Sequence, residues 1–126
     1  MRAKNLEDVV VYHRAQAAAD AVSALLDRPA CRRDFYLTDQ LSRSSSRVAP
    51  LIAEGFGQLT DRHLAVYLGR ARGSVLETKG HLRKAFSKRY TSEAELLTTD
   101  ELYNEIGKRL TRWINYLQAT DWKTRR

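Results

Sequence analysis

Apolar and small residues recur along this chain in alternating steps of four and three, the spacing that keeps them on one face of an α-helix. Leu37, Leu41, Ser44, Val48 and Leu51 form one such seam. Leu64, Leu68, Ala71, Val75, Thr78, Leu82 and Ala85 form a longer one, and Leu102, Ile106, Leu110, Trp113 and Leu117 a third. Leu6, Val9, Val10, Ala17, Ala21 and Leu25 repeat at helical spacing nearer the start. No segment sustains a period-two alternation of β-branched residues, so no sheet is predicted.

The pattern predicts four helices, over about 6–27, 34–54, 61–89 and 99–122. Asn5, Asp34, Thr60 or Asp61, and Thr99 or Asp100 are the expected N-caps, since each offers a side-chain oxygen to the first free amides. Pro29 should end the first helix, with residues 29–33 as a loop. Pro50 lies inside the second pattern and should kink it. Gly55 and Gly57 should close that helix as caps and turn. Residues 90–97 read as a loop with a short helical turn over 93–97, and the tail from Lys123 as frayed. Short connections between long helices make neighbours antiparallel. The expected fold is therefore all-α, an antiparallel up-down four-helix bundle forming one domain over residues 1–126. Ser44–Ser46 and Ala71–Ser74 are small-residue patches at matching heights on the second and third helices. The closest approach of those helices is expected there, with Gly73→Leu overpacking it.

Composition narrows the class. A length of 126 residues suits one core, and 43% hydrophobic with 29% charged residues argues against disorder. Two prolines and six glycines are few breakers, which favours long helices. The one cysteine, Cys31, cannot form an internal disulfide or a cysteine-based metal site. No apolar signal segment follows the first residues, and Val9–Val11 is far too short to span a membrane. A reducing, cytoplasmic location without membrane contact is expected.

Net charge is +7, and residues 59–97 hold eight basic against four acidic groups. Such an excess attracts polyanions through its field and through counterion release. Arg72, Lys79 and Arg83 fall on one face of the third helix, and Lys84, Lys88 and Arg89 extend the charge toward its end. Lys108 and Arg112 are a second basic pair, four residues apart. These eight are the candidate nucleic-acid-binding residues; alternatively they are a solvated face with intrahelical pairs. No recognition helix or zinc finger is visible, so contact would be to phosphates and not to base edges. Tyr67, Tyr103, Trp113, Tyr116 and Trp122 could stack bases, but at helical spacing they read first as core or oligomer interface.

Catalysis finds little support in the residues. Ser44, Ser45 and Ser46 would need a partnered base to act as nucleophiles. His13, His63 and His81 lie on three separate segments with no i, i+4 pair. The carboxylates Glu54 and Glu77 lack the Glu-x-x-His motifs of a di-metal bundle. Glu77 is expected to pair with Arg43. No catalytic residue, metal site or cofactor is assigned.

Three ordered stretches carry a family resemblance. They are Gln40-Leu41-Ser42-Arg43-Ser44-Ser45-Ser46, then Ile52-Ala53-Glu54-Gly55-Phe56-Gly57, then Tyr67-Leu68-Gly69-Arg70-Ala71-Arg72-Gly73-Ser74-Val75-Leu76-Glu77. The opening Leu6-Glu7-Asp8-Val9-Val10-Val11-Tyr12 fits the same pattern. Together they resemble the four helix bundle protein family, also called the 23S rRNA intervening-sequence protein family, over nearly the whole chain. Gln40, Arg43, Glu54, Gly55, Gly73, Ser74 and Glu77 are the motif residues, read as structural. Leu51 departs from the pattern, which usually has Asn before Ile-Ala-Glu-Gly. The resemblance implies a bacterial, non-enzymatic protein assembling as a homopentamer. It also implies kinship with the accessory protein of diversity-generating retroelements, which binds nucleic acid and its reverse transcriptase. Two functions thus compete: a nucleic-acid-associated accessory protein bound to RNA, DNA or a reverse transcriptase, and an oligomeric interaction module whose charge serves only solubility.

Overall fold

In a computed structural model, which describes the backbone of residues 3–124 and the side chains of residues 3–119, the chain is helical throughout, and no strand occurs among the described residues. A 3-10 turn, Leu6–Asp8, precedes α1 (Val10–Leu26), α2 (Pro29–Arg33), α3 (Phe35–Phe56), α4 (Asp61–Ser87) and α5 (Glu93–Thr124). The four long helices pack in a ring, α1 on α3, α3 on α4, α4 on α5 and α5 back on α1. Neighbours are antiparallel: Gly55 meets Tyr67 and Ser44 meets Thr78, so α3 descends as α4 rises. Likewise Arg14 of α1 pairs with Glu105 of α5, and Arg28, just beyond the end of α1, with Glu95 near the start of α5. The up-down four-helix bundle expected from the seams is the fold observed.

The seams fill the core. Leu41, Val48 and Ile52 of α3 meet Leu68, Ala71, Val75 and Leu82 of α4 and Tyr103, Ile106, Leu110 and Leu117 of α5. Ala15, Ala18 and Val22 of α1 close the ring with small side chains. Each buried Leu or Ile contributes about 1.5–3 kcal/mol by leaving water, so this seam is the main source of stability.

Several local expectations need correction. Asn5 makes no side-chain cap bond; it precedes the 3-10 turn, and α1 starts four residues later than expected. Residues 29–33 are the short helix α2 rather than a loop, because Pro29 sits at its first turn, where a missing N–H costs nothing. Pro50 lies inside α3, as expected. Asp34 and Thr60 do cap α3 and α4, accepting from the amides of Leu37 and His63 at 3.2 Å each. The last helix begins at Glu93, six residues before the expected start, so neither Thr99 nor Asp100 caps it. Its start is a capping box: Ser92 Oγ accepts from Glu95 N at 3.1 Å, and Ser92 N donates to Glu95 Oε1 at 2.8 Å. The Ser-x-x-Glu spacing is the signal that locates it. Of the tail, Arg125 and Arg126 lie outside the described residues.

The small-residue patches also meet differently. Ser44 and Ser74 are buried, and Thr78 Oγ1 lies 2.9 Å from Ser44 Oγ and 2.8 Å from the Ser74 carbonyl. Ser46 and Gly73 instead face outward, and a Cβ on Gly73 would meet nothing within 4 Å. Gly73→Leu would therefore not overpack the bundle. The tight crossing is at Gly55, whose Cβ would stand 2.8 Å from Tyr67 Cβ. Gly55 is a contact residue inside the helix, and Gly57 alone is the C-cap.

Helix α4 ends on Arg89, whose φ of 63° is left-handed. Tyr90 N donates to Ala85 O and Arg89 N to Phe86 O, which is the Schellman pattern, with Arg where glycine is favoured. Arg89→Gly is therefore expected to stabilise the fold by about 0.5–1 kcal/mol, read as a raised melting temperature. A lowered one would show that the arginine side chain contributes more than its backbone strain removes.

Candidate nucleic-acid interface

The two helices richest in basic residues, α4 and α5, run side by side, and small residues hold a groove open between them. A Cβ on Gly107 would stand 3.7 Å from Val75 Cγ1, an ordinary contact, so the glycine leaves a side chain's width open beside Val75. Tyr103, buried in full, floors the groove, and burial raises its hydroxyl's pKa. The lower part, of about 400 Å³, is lined by Arg72, Leu76, Lys79, Lys108 and Arg112. The upper part, of about 510 Å³, is lined by Arg62, Val66, Gly69, Arg72 and Ile114. Arg72 borders both.

The structure regroups the eight basic candidates. Lys79 and Arg83 do share a face with Arg72, but both approach one carboxylate: Asp100 Oδ1 lies 3.8 Å from Lys79 Nζ and 3.8 Å from Arg83 Nη2. Lys79 also donates to Asn104 Oδ1. Lys88 donates to Asp34 Oδ2 at 2.7 Å, and Arg89 is the helix cap described above. Lys84 is exposed in the last turn of α4. Arg72, Lys108 and Arg112, drawn from the two separate sequence clusters, converge on the same groove, and none of the three makes an ion pair with another described residue. Three uncommitted guanidinium and ammonium groups along a groove form a surface for phosphates, which Arg and Lys meet as charge-assisted donors.

Other sequence candidates take structural places. Arg43 bonds Asp39 at 3.0 Å within α3, and it is Arg47 that reaches Glu77, at 3.2 Å, so the expected Arg43–Glu77 pair is replaced by its neighbour one turn on. Gln40 is half-buried and Glu54 exposed on α3. Ser44, Ser45 and Ser46 donate to the carbonyls of Leu41, Ser42 and Arg43, which ties their hydroxyls to the helix backbone. His13 meets Glu7 O and His63 meets Thr60 Oγ1, and no group of three His, Cys, Asp or Glu among the described residues could hold a metal. Tyr67 carries Arg70 over its ring at 5.2 Å. The Trp122 side chain lies outside the described residues.

Two features were not read from the sequence. At one end of the bundle, Arg28 forms a two-toothed pair with Glu95 and also donates to Tyr90 O. Beside it Asp34 accepts from Lys88 and from the Tyr90 hydroxyl at 2.8 Å. Both carboxylates are held well below their ordinary range, to about 2: Asp34 chiefly by Lys88, Glu95 chiefly by Arg28. Burial pushes the Cys31 thiol up nearby. At the opposite end, Val10, Phe56, Leu59, Trp113 and Tyr116 line a cavity of about 650 Å³, with Lys4 and Arg112 also on its wall. No helix is long and apolar enough to cross a membrane among the described residues.

Residues 7–112 match the family described as 23S rRNA-intervening sequence protein. Among solved structures, the chain is similar to a protein of unknown function from the S23 ribosomal protein family, from Bacteroides thetaiotaomicron. The TM-score is 0.77 at 19% identity, covering 83% of this chain and 98% of that one, which shows a shared fold. No curated protein matches the chain.

Proposed function

Because this chain belongs to the 23S rRNA-intervening sequence protein family, we propose that it works without catalysis, as a nucleic-acid-binding protein whose phosphate-contacting site is the α4–α5 groove. One observation carries the reading: Arg72, Lys108 and Arg112 converge there, and none of them pairs with an acidic side chain among the described residues. A basic groove is the surface that a nucleic-acid partner would need. RNA and DNA share the phosphates this site addresses, so binding is weak in sequence preference and strong in salt dependence. A reverse transcriptase is the protein partner that the resemblance to retroelement accessory proteins brings into this proposal.

The test is titration of mixed-sequence RNA and DNA at several salt concentrations. Arg72→Glu with Arg112→Glu should lower affinity for all sequences alike. It should also flatten the slope of log affinity against log salt by about 0.7 for each single-strand phosphate that the variant no longer neutralises. Lys79→Glu with Arg83→Glu should do less, because Asp100 already occupies those cations. Parental binding by the Arg72/Arg112 variant would place the site elsewhere.

We further propose self-association, as a homopentamer. Phe35, Tyr36, Leu59, Leu76 and Leu97 are all more than half exposed and could be covered by other copies, and the family resemblance supplies the number. A monomer by light scattering at micromolar concentration would overturn it. If the parent binds no nucleic acid at moderate salt, the interaction-module reading takes the place of the first.

A further inference from the structure

The cavity at the Gly57 end is unlike the groove in its chemistry, yet the two share a residue. Its wall carries Phe56, Trp113 and Tyr116 from two helices and Leu59, fully exposed, at the turn, with Gln58, Thr60 and the Asp61 carboxylate among them. Its volume of about 650 Å³ falls in the range of small-molecule sites. The cations on its wall are Lys4, Arg109 and Arg112. Arg109 is already bonded to Glu105 at 3.1 Å, which leaves Lys4 and Arg112. Arg112 also lines the basic groove, so a chain of phosphates lying on Arg72 and Lys108 leads to the cavity mouth without leaving the cations.

We propose that this cavity receives an unpaired base of a single-stranded nucleic acid whose backbone lies in the α4–α5 groove. The inference rests on the groove being a phosphate site and adds which strand form it takes. Three physical points carry it. Packed helices stand 8–10 Å apart, so the depression between them is about one strand wide and cannot accept a duplex. A duplex keeps its bases stacked inside and could offer the aromatic wall nothing. A single strand offers both components in the order found here, phosphates for the groove and an apolar ring face for Trp113 and Tyr116.

The experiment uses the full chain carrying Trp122→Phe, which leaves Trp113 as its single indole because the sequence has two tryptophans. Its fluorescence is followed while a thymidine oligonucleotide, the corresponding duplex and inorganic polyphosphate of equal charge are added. The single strand should quench Trp113 and bind about 5- to 150-fold tighter than polyphosphate, the contribution of one stacked base. The duplex, which the groove cannot seat, should bind more weakly than the single strand and without quenching. Tyr116→Ala, at a half-exposed position that should spare the fold, should weaken single-strand binding and leave polyphosphate binding unchanged. Equal binding of all three probes with no quenching overturns the base site while leaving the phosphate groove standing. If polyphosphate binds and Arg72→Glu with Arg112→Glu does not weaken it, the groove reading itself is overturned. If Trp113 emission changes with protein concentration alone and no probe alters it, a second copy of the chain covers the cavity, and the proposal fails.

Discussion

Gly55→Leu is expected to be the most damaging single change on the surface between α3 and α4. A Cβ at this position would lie 2.8 Å from Tyr67 Cβ and 3.1 Å from Leu64 Cδ1. The first of these atoms is fixed to its backbone and cannot swing aside, so the two helices must part. Separating them loosens Ile52 and Leu68, both without solvent exposure. Overpacking of this kind costs about 1–3 kcal/mol, and leucine's further atoms place it at the upper end. For a domain of this size that is a fall of roughly 4–12 °C in melting temperature. Gly55→Ala removes the helical penalty of glycine, about 0.5–1 kcal/mol, so its net loss is smaller. Gly73→Ala is the control. It lies in the same helix pair but faces open space, and should gain about 0.5–1 kcal/mol from helix propensity alone. Equal behaviour at the two glycines would show that the crossing is looser than the geometry states.

That contrast also marks how far the sequence reaches. The four-three seams located α3 and α4 to within two residues at each end, because a buried stripe must follow the helical repeat whatever lies beyond it. Which glycine sits in the crossing depends on the rotation of one helix against another, and a single-chain pattern does not carry it. The pattern put Gly55 at the helix end and Gly73 in the crossing, and it is the facing Tyr67 that reverses the two. The start of α5 was legible in principle: Ser92 and Glu95 have capping-box spacing, but the apolar stripe that begins at Leu102 drew the boundary inward. The site was legible by composition only. Helix periodicity grouped Arg72 with Lys79 and Arg83, and it could not foresee that Asp100 of the next helix would approach two of them. Lys108 and Arg112 joined Arg72 through tertiary packing, as did the aromatic cavity beside them.

Acid is expected to release the opposite end of the bundle, where two carboxylates tie the loops together. Glu95 holds Arg28 and the Ser92 amide, and Asp34 holds Lys88, Tyr90 and the Leu37 amide. In the unfolded chain these groups take ordinary values of 4.5 and 3.8, whereas in the fold both stand at about 2. The folded state therefore binds protons less readily. Its advantage is complete above pH 4.5 and is lost as the pH falls toward 2. The raised values of Arg28 and Lys88 act only at strongly alkaline pH, so the acid limb isolates the carboxylates. Glu95→Gln keeps the capping box and Asp34→Asn keeps an N-cap oxygen, so each removes charge and spares the helix start. Both variants should melt below the parent at pH 7 and converge with it near pH 2, giving a flatter curve of melting temperature against pH. The gap should narrow in high salt, since both pairs are partly open to solvent. Curves that stay parallel from pH 7 to pH 2 would mean that the clamp is held by its neutral hydrogen bonds and that charge at this end contributes nothing to the fold.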